Sequence, residues 1–161
     1  MGEVDKQECE SVERMWDAYL AAMGDEGEIA EKGYDAWHFC NDEEGANNLL
    51  ELVLKGKKRG TCSVYCLYEM DGEEMPKAGE YSVITNWQGE AGCVIQTTKV
   101  ELVAYKDVGD AFARKEGEGD LSLAYWRRVH WECFTEELAE HELVFSEEML
   151  LVCEEFEVAY Q

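Results

Sequence analysis

The sequence predicts an α+β domain, built as a closed or partly closed small barrel with helices packed on it. Two observations support this prediction. Apolar residues recur at three- and four-residue spacing up to Gly56, whereas from Thr61 onward the apolar period is two. The predicted helices and strands also do not alternate regularly along the chain, which is typical of α+β domains.

The N-terminal part of the chain is predicted to be helical. Apolar and aromatic residues between positions 12 and 20 recur at helical spacing, and Ser11 is a favourable residue for a helix start. Glycines then interrupt the pattern, and a second helical pattern ends at Gly56. We therefore expect residues 1–33 to form a helical extension that packs on a domain of residues 34–161.

Four strands are predicted after Thr61. Their sequences are TCSVYCLYEM, EYSVITNW, GCVIQTTKVELVAY and MLLVCEEFEVAY. The segment NWQGEAG joins the second and third strands as a hairpin turn. Between the third and fourth strands we expect a short segment, DVGDAFARKEGEGD, and a helix, LSLAYWRRVHWECF, capped by Asp120 or Ser122.

Length and composition fit one soluble domain. A chain of 161 residues with 46% hydrophobic content can bury a continuous core. No apolar run reaches the roughly 18 residues of a membrane helix, and the acidic start lacks the basic region of a secretory signal. The seven cysteines are an odd number and several lie in apolar runs, which suits a reducing compartment. We therefore expect a cytoplasmic protein without a membrane partner.

The charge of the chain is strongly negative, with 37 acidic residues against 14 basic ones. Such a surface repels polyanions, so a general nucleic-acid binder is disfavoured and no DNA partner is expected. Eight of the basic residues nevertheless form two clusters. These are Lys55, Lys57, Lys58 and Arg59, and Arg114, Lys115, Arg127 and Arg128. Either the clusters balance acidic helix faces locally, or they line a binding site.

The first basic cluster lies in residues 54–61, LKGKKRGT, between the second predicted helix and the first strand. It is not a phosphate-binding P-loop, because the first glycine of that motif is absent and the segment runs from helix to strand. The segment brings Lys58 and Thr61 together at a turn. The alternative interpretation is a basic helix end stabilised by the helix dipole, with Thr61 as an ordinary strand residue.

Two further motifs carry polar groups toward the last helix. Glycines on both sides of Glu118 let the backbone turn sharply, so that Glu116 or Asp120 points into a cavity, unless the loop is simply solvated. Trp126 and His130 lie four residues apart and share a helix face that either stacks a base or packs in the core. The cysteines and histidines form only partial ligand pairs, so we expect no metal and no cofactor.

Four separated motifs together resemble the ASCH domain family. They are the G-x-K-x-x-T of Gly56, Lys58 and Thr61, the strand CVIQTTKV, the segment FARKEGEGDLSLAYWRRVH and the terminal VCEEFEVAY. Their order and spacing match over residues 34–161, and the chain is most similar to the bacterial subgroup with an extra N-terminal helical region. Three features depart from the family pattern: Gln96 replaces a glutamate, Arg59-Gly60 replaces the usual Thr-Ala pair, and Ser63 replaces an arginine.

The resemblance implies a PUA-like β-barrel with flanking helices and a cleft beside the G-x-K-x-x-T turn. Family members were first expected to bind RNA, one relative is a ribonuclease, and a small relative is an amidohydrolase that removes acyl groups from N4 of cytidine. The catalytic residues of that amidohydrolase correspond here to Lys58, Thr61 and Glu116. We expect further residues to contact the substrate. They are Lys57, Arg59, Gly60, Gln96, Asp120, Trp126, Arg127 and His130.

Three functions are therefore expected as alternatives: an amidohydrolase of N4-acylated cytidine or a similar small modified nucleoside, a non-catalytic module that binds a nucleotide or RNA, and a ribonuclease. In the amidohydrolase, Lys58 acts as the base for Thr61, which attacks the acyl carbon. Glu116 orients the lysine or protonates the leaving amine. The neighbouring cations, Lys57 and Arg59, are expected to favour the neutral form of Lys58.

Overall fold

The computed structural model of the chain describes residues 6–161, with their side chains from residue 10 onward. The helices are α1 (Lys6–Met23), α2 (Glu28–Lys32), α3 (Glu43–Leu54), α4 (Tyr65–Asp71), α5 (Asp110–Glu116) and α6 (Leu123–Ala139). The strands are β1 (Asp35–Trp37), β2 (Gly60–Val64), β3 (Tyr81–Thr85), β4 (Ala91–Ala104) and β5 (Leu150–Tyr160), and a 3₁₀ turn covers Tyr105–Asp107. The predicted α+β class is confirmed.

The strands form one mixed sheet in the order β1-β3-β4-β5-β2. β1 runs parallel to β3, and β3 pairs with β4 in an antiparallel hairpin. β2 pairs with β5 in antiparallel register, so that Thr61 lies opposite Glu154 and Cys62 lies opposite Cys153. Because side chains alternate between the two faces of a strand, Thr61 and Cys62 project from opposite faces of β2.

The described chain divides into two compact units. The first comprises the residues up to Gly56, together with Ala78–Thr98 and Phe156–Gln161. The second comprises Lys57–Lys77 and Lys99–Glu155.

The first unit holds α1 against the β3–β4 hairpin. Trp16 and Tyr19 lie on the apolar face of α1 and pack with Tyr81 and Val83 of β3 in a buried cluster. Within the described residues α1 already includes Lys6, so Ser11 lies inside the helix and the predicted helix start at Ser11 is wrong. The Ser11 side chain instead accepts a hydrogen bond from the backbone N–H of Ala91, at 2.9 Å.

The second unit has an aromatic and aliphatic core beneath α6. Its buried members are Val64, Tyr105, Val108, Ala113, Trp126, Phe134, Leu138, Phe145, Leu151 and Cys153. Ser122 caps α6 by accepting a hydrogen bond from the backbone N–H of Tyr125, which resolves the predicted choice between Asp120 and Ser122. None of the helices between residues 6 and 161 combines the length and the hydropathy of a membrane-spanning segment.

Two predicted elements differ from the structure. The first predicted strand ends at Val64, and the chain continues as helix α4, which Gly72 ends in the left-handed conformation. A short run of apolar residues fits helix and strand periods equally well, so the spacing alone misled the prediction. The aromatic segment near residue 35 was not predicted to be a strand, but it forms β1 at one end of the sheet.

Candidate functional site

Lys58 is buried in the second unit, where it lies close to two carboxylates. It follows the glycine turn at Gly56, whose φ of 78° is the left-handed conformation that commonly ends a helix. Its side-chain nitrogen Nζ lies 3.6 Å from Oε1 of Glu116 and 3.8 Å from Oε1 of Glu118. Nζ also donates to the backbone carbonyl of Glu116, at 3.4 Å. The structure thus places carboxylates beside the amine that was expected to lie among cations.

Glu116 is the last residue of α5 and is 1% exposed. Its Oε2 accepts hydrogen bonds from Nε1 of Trp126 and from Nε2 of His130, the latter at 3.0 Å. Burial alone raises the pKa of this carboxyl, but the charge of Lys58 and the hydrogen bonds from His130 and Trp126 together hold the pKa below its ordinary value. Glu116 is therefore ionised, and it binds Lys58 through charge attraction and Trp126 and His130 through hydrogen bonds.

His130 carries a positive charge in this arrangement. Its Nδ1 lies 2.8 Å from the backbone carbonyl of Trp126, and its Nε2 faces the Glu116 carboxylate. Both partners can only accept hydrogen bonds, so both ring nitrogens must carry hydrogen. Burial lowers the pKa of His130, but the bond to Glu116 and the charges of both glutamates raise it above its ordinary value overall. The ring also stacks on Trp126, with centroids 4.3 Å apart, where a cation is attracted to the indole face.

Glu118 lies at the edge of this cluster. The side chains of Lys58 and Glu116 are each 2% exposed, whereas that of Glu118 is 16% exposed. Gly117 and Gly119 flank it, both in the left-handed conformation, with φ of 70° and 59°. Burial and the nearby Glu116 charge raise the pKa of Glu118 despite the opposing effect of Lys58 and His130.

Cys62 reaches the same carboxylate from β2. Its Sγ lies 3.7 Å from Oε2 of Glu116, and burial together with the Glu116 charge raises the pKa of this thiol well above its ordinary value. Among the described residues, Cys62, Glu116 and His130 are the group whose potential ligand atoms lie within 4.8 Å of one another. A metal held by all three residues would have to displace the thiol proton of Cys62 and one imidazole proton of His130.

Thr61 projects from the other face of β2. Opposite it in the antiparallel register lies Glu154, which is 8% exposed. Ser63 shares this face of the strand, and its Oγ lies 2.8 Å from the Tyr68 hydroxyl. Thr61 therefore belongs to a hydroxyl-rich surface of the second unit, on the strand face away from the one through which Cys62 reaches Glu116.

Trp126 and Arg127, which were expected to bind substrate, are in contact with other protein groups. Trp126 is 2% exposed and is stacked between Tyr105 and His130, which is the core-packing alternative. The guanidinium of Arg127 donates to the backbone carbonyls of Tyr105, Lys106 and Val108, at 3.0–3.3 Å. These bonds join α6 to the turn after β4, and they leave less of the guanidinium for a ligand.

The basic loop before β2 joins the end of α5 through its backbone. Arg59 donates its backbone N–H to the carbonyl of Lys115, at 2.7 Å, and its side chain donates to the carbonyl of Lys58. Gly60 is buried against Lys115 as well, since a Cβ there would lie 3.3 Å from that of Lys115. The side chain of Lys57 is exposed. Arg59 and Lys115, from the two basic clusters of the sequence, therefore meet.

The two remaining predicted binding residues, Asp120 and Gln96, each make a hydrogen bond to the backbone. Asp120 is exposed, and its carboxylate accepts from the backbone N–H of Ser122, at 2.8 Å, at the start of α6. Gln96 belongs to the first unit, where its amide donates to the carbonyl of Gly79, at 3.5 Å. Neither contact supports or excludes a role in binding.

Glu118 and Cys62 are members of the cluster that the sequence did not predict. The signal for Glu118 was present, since glycines on both sides allow two consecutive left-handed turns. We predicted instead that these glycines direct Glu116 or Asp120 into a cavity. No spacing in the sequence pointed to Cys62, because its proximity to Glu116 depends on how β2 packs against α5.

The pairing of Glu116 with His130 predicts a specific pH dependence of stability. Because the pKa of His130 is raised in the folded state, its protonation contributes to the free energy of unfolding. This contribution is complete below about pH 6.5 and is lost as the pH rises through the folded-state pKa of His130. The lowered pKa of Glu116 gives a contribution that is complete above about pH 4.5 and is lost as pH falls. We expect urea unfolding to show a stability slope above pH 6.5 that His130→Gln reduces. An unchanged slope in that variant would contradict the assignment of charge to His130.

Comparison with known proteins identifies the family. The sequence profile of the ASCH domain matches residues 35–160. A crystal structure of an ASCH domain from Lactobacillus crispatus JV V101 is 40% identical, with a TM-score of 0.88, and the match covers 94% of this chain and 96% of that one. A crystal structure of a protein from Enterococcus faecalis V583 is 37% identical, with a TM-score of 0.84 and coverage of 94% and 90%. No protein with a curated description matches. The chain belongs to the ASCH domain family, with the PUA-like fold of its solved relatives.

Proposed function

We propose that the protein is an amidohydrolase that removes the acyl group from N4-acylated cytidine or a similar small modified nucleoside. The observation that carries the proposal is the buried pair of Lys58 and Glu116, whose Nζ and Oε1 atoms are 3.6 Å apart. Burying two ions costs desolvation energy that their attraction often fails to recover. Because such clusters are concentrated at catalytic sites, a chemical role explains this pair better than folding stability does.

The proposal divides the roles among three residues. The G-x-K-x-x-T motif assigns Thr61 as the nucleophile, and its attack on the acyl carbon places negative charge on the carbonyl oxygen. Lys58 is suited to stabilise that charge, since each contact described for its Nζ is with an oxygen acceptor. Glu116 orients Lys58; its lowered pKa makes it a poor proton donor to the leaving amine.

The charge of the chain supports a small neutral substrate. With a net charge of -23, the protein repels a polyanion over long distances. A nucleoside carries no phosphate and experiences no such repulsion. The exposed cations near the basic loop can still contact polar groups of a small ligand, since Lys115 has a side chain that is 51% exposed.

The proposal is tested by incubating the purified protein with N4-acetylcytidine and following release of cytidine by liquid chromatography. Wild-type protein is expected to turn over, and Thr61→Ala is expected to reduce turnover by more than about 100-fold, because the attacking oxygen is lost. Thr135→Ala, which changes an exposed threonine on α6, is the matched control and should retain activity. Full turnover by Thr61→Ala would show that Thr61 is not the nucleophile. An inactive wild-type protein that binds short RNA in a salt-sensitive manner would favour the binding module instead.

A further inference from the structure

We propose that Ser63, Tyr68 and Glu154 bind the ribose of the substrate, on the face of β2 that carries Thr61. The inference rests on the proposed function, since it names the residues that select a ribonucleoside over a free base. Two observations carry it. Glu154 lies directly opposite Thr61 in the antiparallel register, and Oγ of Ser63 lies 2.8 Å from the Tyr68 hydroxyl.

The register of β2 and β5 places a carboxylate and a hydroxyl beside Thr61. Side chains of directly opposed residues project from the same face of a sheet, so the Cβ atoms of Thr61 and Glu154 are about 4.5–5.5 Å apart. Ser63 projects from this face as well, because it is two residues away from Thr61 on the strand. Thr61, Ser63 and Glu154 all belong to the second unit. The proposed nucleophile and two polar neighbours therefore share one surface.

Tyr68 reaches this surface from α4. The helix starts at Tyr65, directly after β2, and this turn of the chain brings the Tyr68 hydroxyl into its hydrogen bond with Ser63. Burial raises the pKa of Tyr68, the bond to Ser63 lowers it, and the Glu154 charge raises it, with a net rise. Ser63 and Glu154 are thus both neighbours of the Tyr68 hydroxyl.

The exposure of these groups allows a ligand to reach them. Thr61, Ser63 and Tyr68 are half-buried, so part of each side chain is open to solvent, whereas Glu154 is 8% exposed. A carboxylate has about four acceptor positions, so Glu154 can receive further hydrogen bonds in addition to its contacts within the protein. The surface therefore combines a buried acceptor with accessible hydroxyls.

Ribose has the chemistry that this surface recognises. Its 2′- and 3′-hydroxyls are adjacent donors, and the carboxylate of Glu154 can accept from both, as an acidic residue does from ribose in dinucleotide-binding folds. The hydroxyls of Ser63 and Tyr68 can either donate or accept, so they can pair with the remaining positions of the sugar. A phosphate group would instead be repelled by the Glu154 charge. The surface thus favours a neutral sugar.

The spacing along β2 fits the length of a nucleoside. A strand rises about 3.3 Å per residue, so Ser63 lies roughly 6.6 Å from Thr61 along the chain. In N4-acylated cytidine the acylated nitrogen and the ribose are attached to opposite atoms of the pyrimidine ring. When the acyl carbon is at Thr61, the ring can extend along the strand and bring the ribose to Ser63 and Tyr68. Glu154 acts at the same end, since its charge affects the Tyr68 hydroxyl.

Binding of nucleosides tests the inference without turnover. Protein labelled with ¹⁵N is titrated with cytidine and with 2′,3′-dideoxycytidine, which lacks only the two hydroxyls, and each Kd is measured by NMR. We expect cytidine to bind at least about 10-fold more tightly, because the analogue loses hydrogen bonds to a charged group. Glu154→Gln and Tyr68→Phe should each reduce this ratio, whereas Glu157→Gln, at an exposed position of β5, should preserve it. If cytidine binds no more tightly than the analogue, or does not bind, the inference is overturned whatever the activity of the protein.

Kinetics separate the inference from the proposed function. For N4-acetylcytidine we expect Glu154→Gln to lower kcat/KM by about 10-fold or more, mainly through KM. For N4-acetylcytosine, which has no ribose, the variant and the wild type should have the same kcat/KM. A merely structural role of Glu154 would lower kcat/KM for both substrates. Tyr68→Phe, which removes one oxygen and no charge, provides the same comparison if Glu154→Gln does not fold. An active wild type whose variants lose the same factor on both substrates, or lose nothing, overturns the inference alone, whereas an inactive wild type overturns the proposed function.

Discussion

Replacing Gly117 by alanine is expected to destabilise the protein by about 4 kcal/mol or more, which is an exceptional loss for a single methyl group. Gly117 follows α5 with φ of 70°, and a Cβ there would lie 2.1 Å from the backbone carbonyl oxygen of Lys57 and 2.9 Å from the nitrogen of Lys58. These neighbours are backbone atoms and cannot rotate away. The methyl group would therefore separate the loop that carries Lys58 from the end of α5 that carries Glu116.

Gly72 provides a matched control for this substitution. It also ends a seven-residue helix in the second unit, its φ is 67°, and a Cβ there would meet no atom within 4 Å. Gly72→Ala therefore measures the cost of the left-handed conformation alone, which is about 1–2 kcal/mol. The difference in free energy of unfolding between the two variants, measured in urea, isolates the close contact. Equal destabilisation by both substitutions would show that Lys57 does not restrict position 117.

The contrast between Gly117 and Gly72 shows what sequence reasoning can predict. A glycine after a helical pattern indicates a left-handed helix end, and Gly56 was predicted on that basis. The sequence offers no comparable signal for the closeness of Lys57 to Gly117, because these residues are far apart in the chain and meet only after folding. The conformation of a glycine is thus a local property, whereas the need for glycine at position 117 comes from tertiary packing.

The candidate site shows the same division. The spacing of Trp126 and His130 predicted that they share a helix face, and their rings stack at 4.3 Å. Lys58 and Glu116 were associated through the family resemblance, since no periodic pattern relates residues so far apart. Glu118 was missed because the charge of a loop residue gives no indication of whether it is solvated or buried. That distinction depends on the surrounding helix ends, which the sequence does not specify.

Replacing Glu116 by glutamine is expected to cost about 3–5 kcal/mol of folding stability. The substitution preserves the shape of the side chain but removes the charge that offsets the buried cations Lys58 and His130. It also places an amide NH₂ group where both carboxylate oxygens now face hydrogen-bond donors, so at least one pair of hydrogens would oppose each other. Urea unfolding monitored by tryptophan fluorescence measures the loss.

The exposed ion pair of Lys106 and Glu148 is the control for the Glu116→Gln prediction. Its nitrogen and oxygen are 2.7 Å apart, which is closer than the buried pair, but the two side chains are 43% and 74% exposed. Solvent screens such a pair, so Glu148→Gln should cost less than about 1 kcal/mol. If Glu116→Gln lowers the free energy of unfolding no more than Glu148→Gln does, the Glu116 charge does not stabilise the cluster. Burial then makes no difference between the buried and the exposed ion pair.

A double mutant provides a second test. The loss of stability from Glu116→Gln should be smaller when Lys58→Met is already present, because one of the cations that needs the carboxylate is then gone. A large loss that Lys58→Met leaves unchanged would instead assign the anchoring role to the bonds from Trp126 and His130.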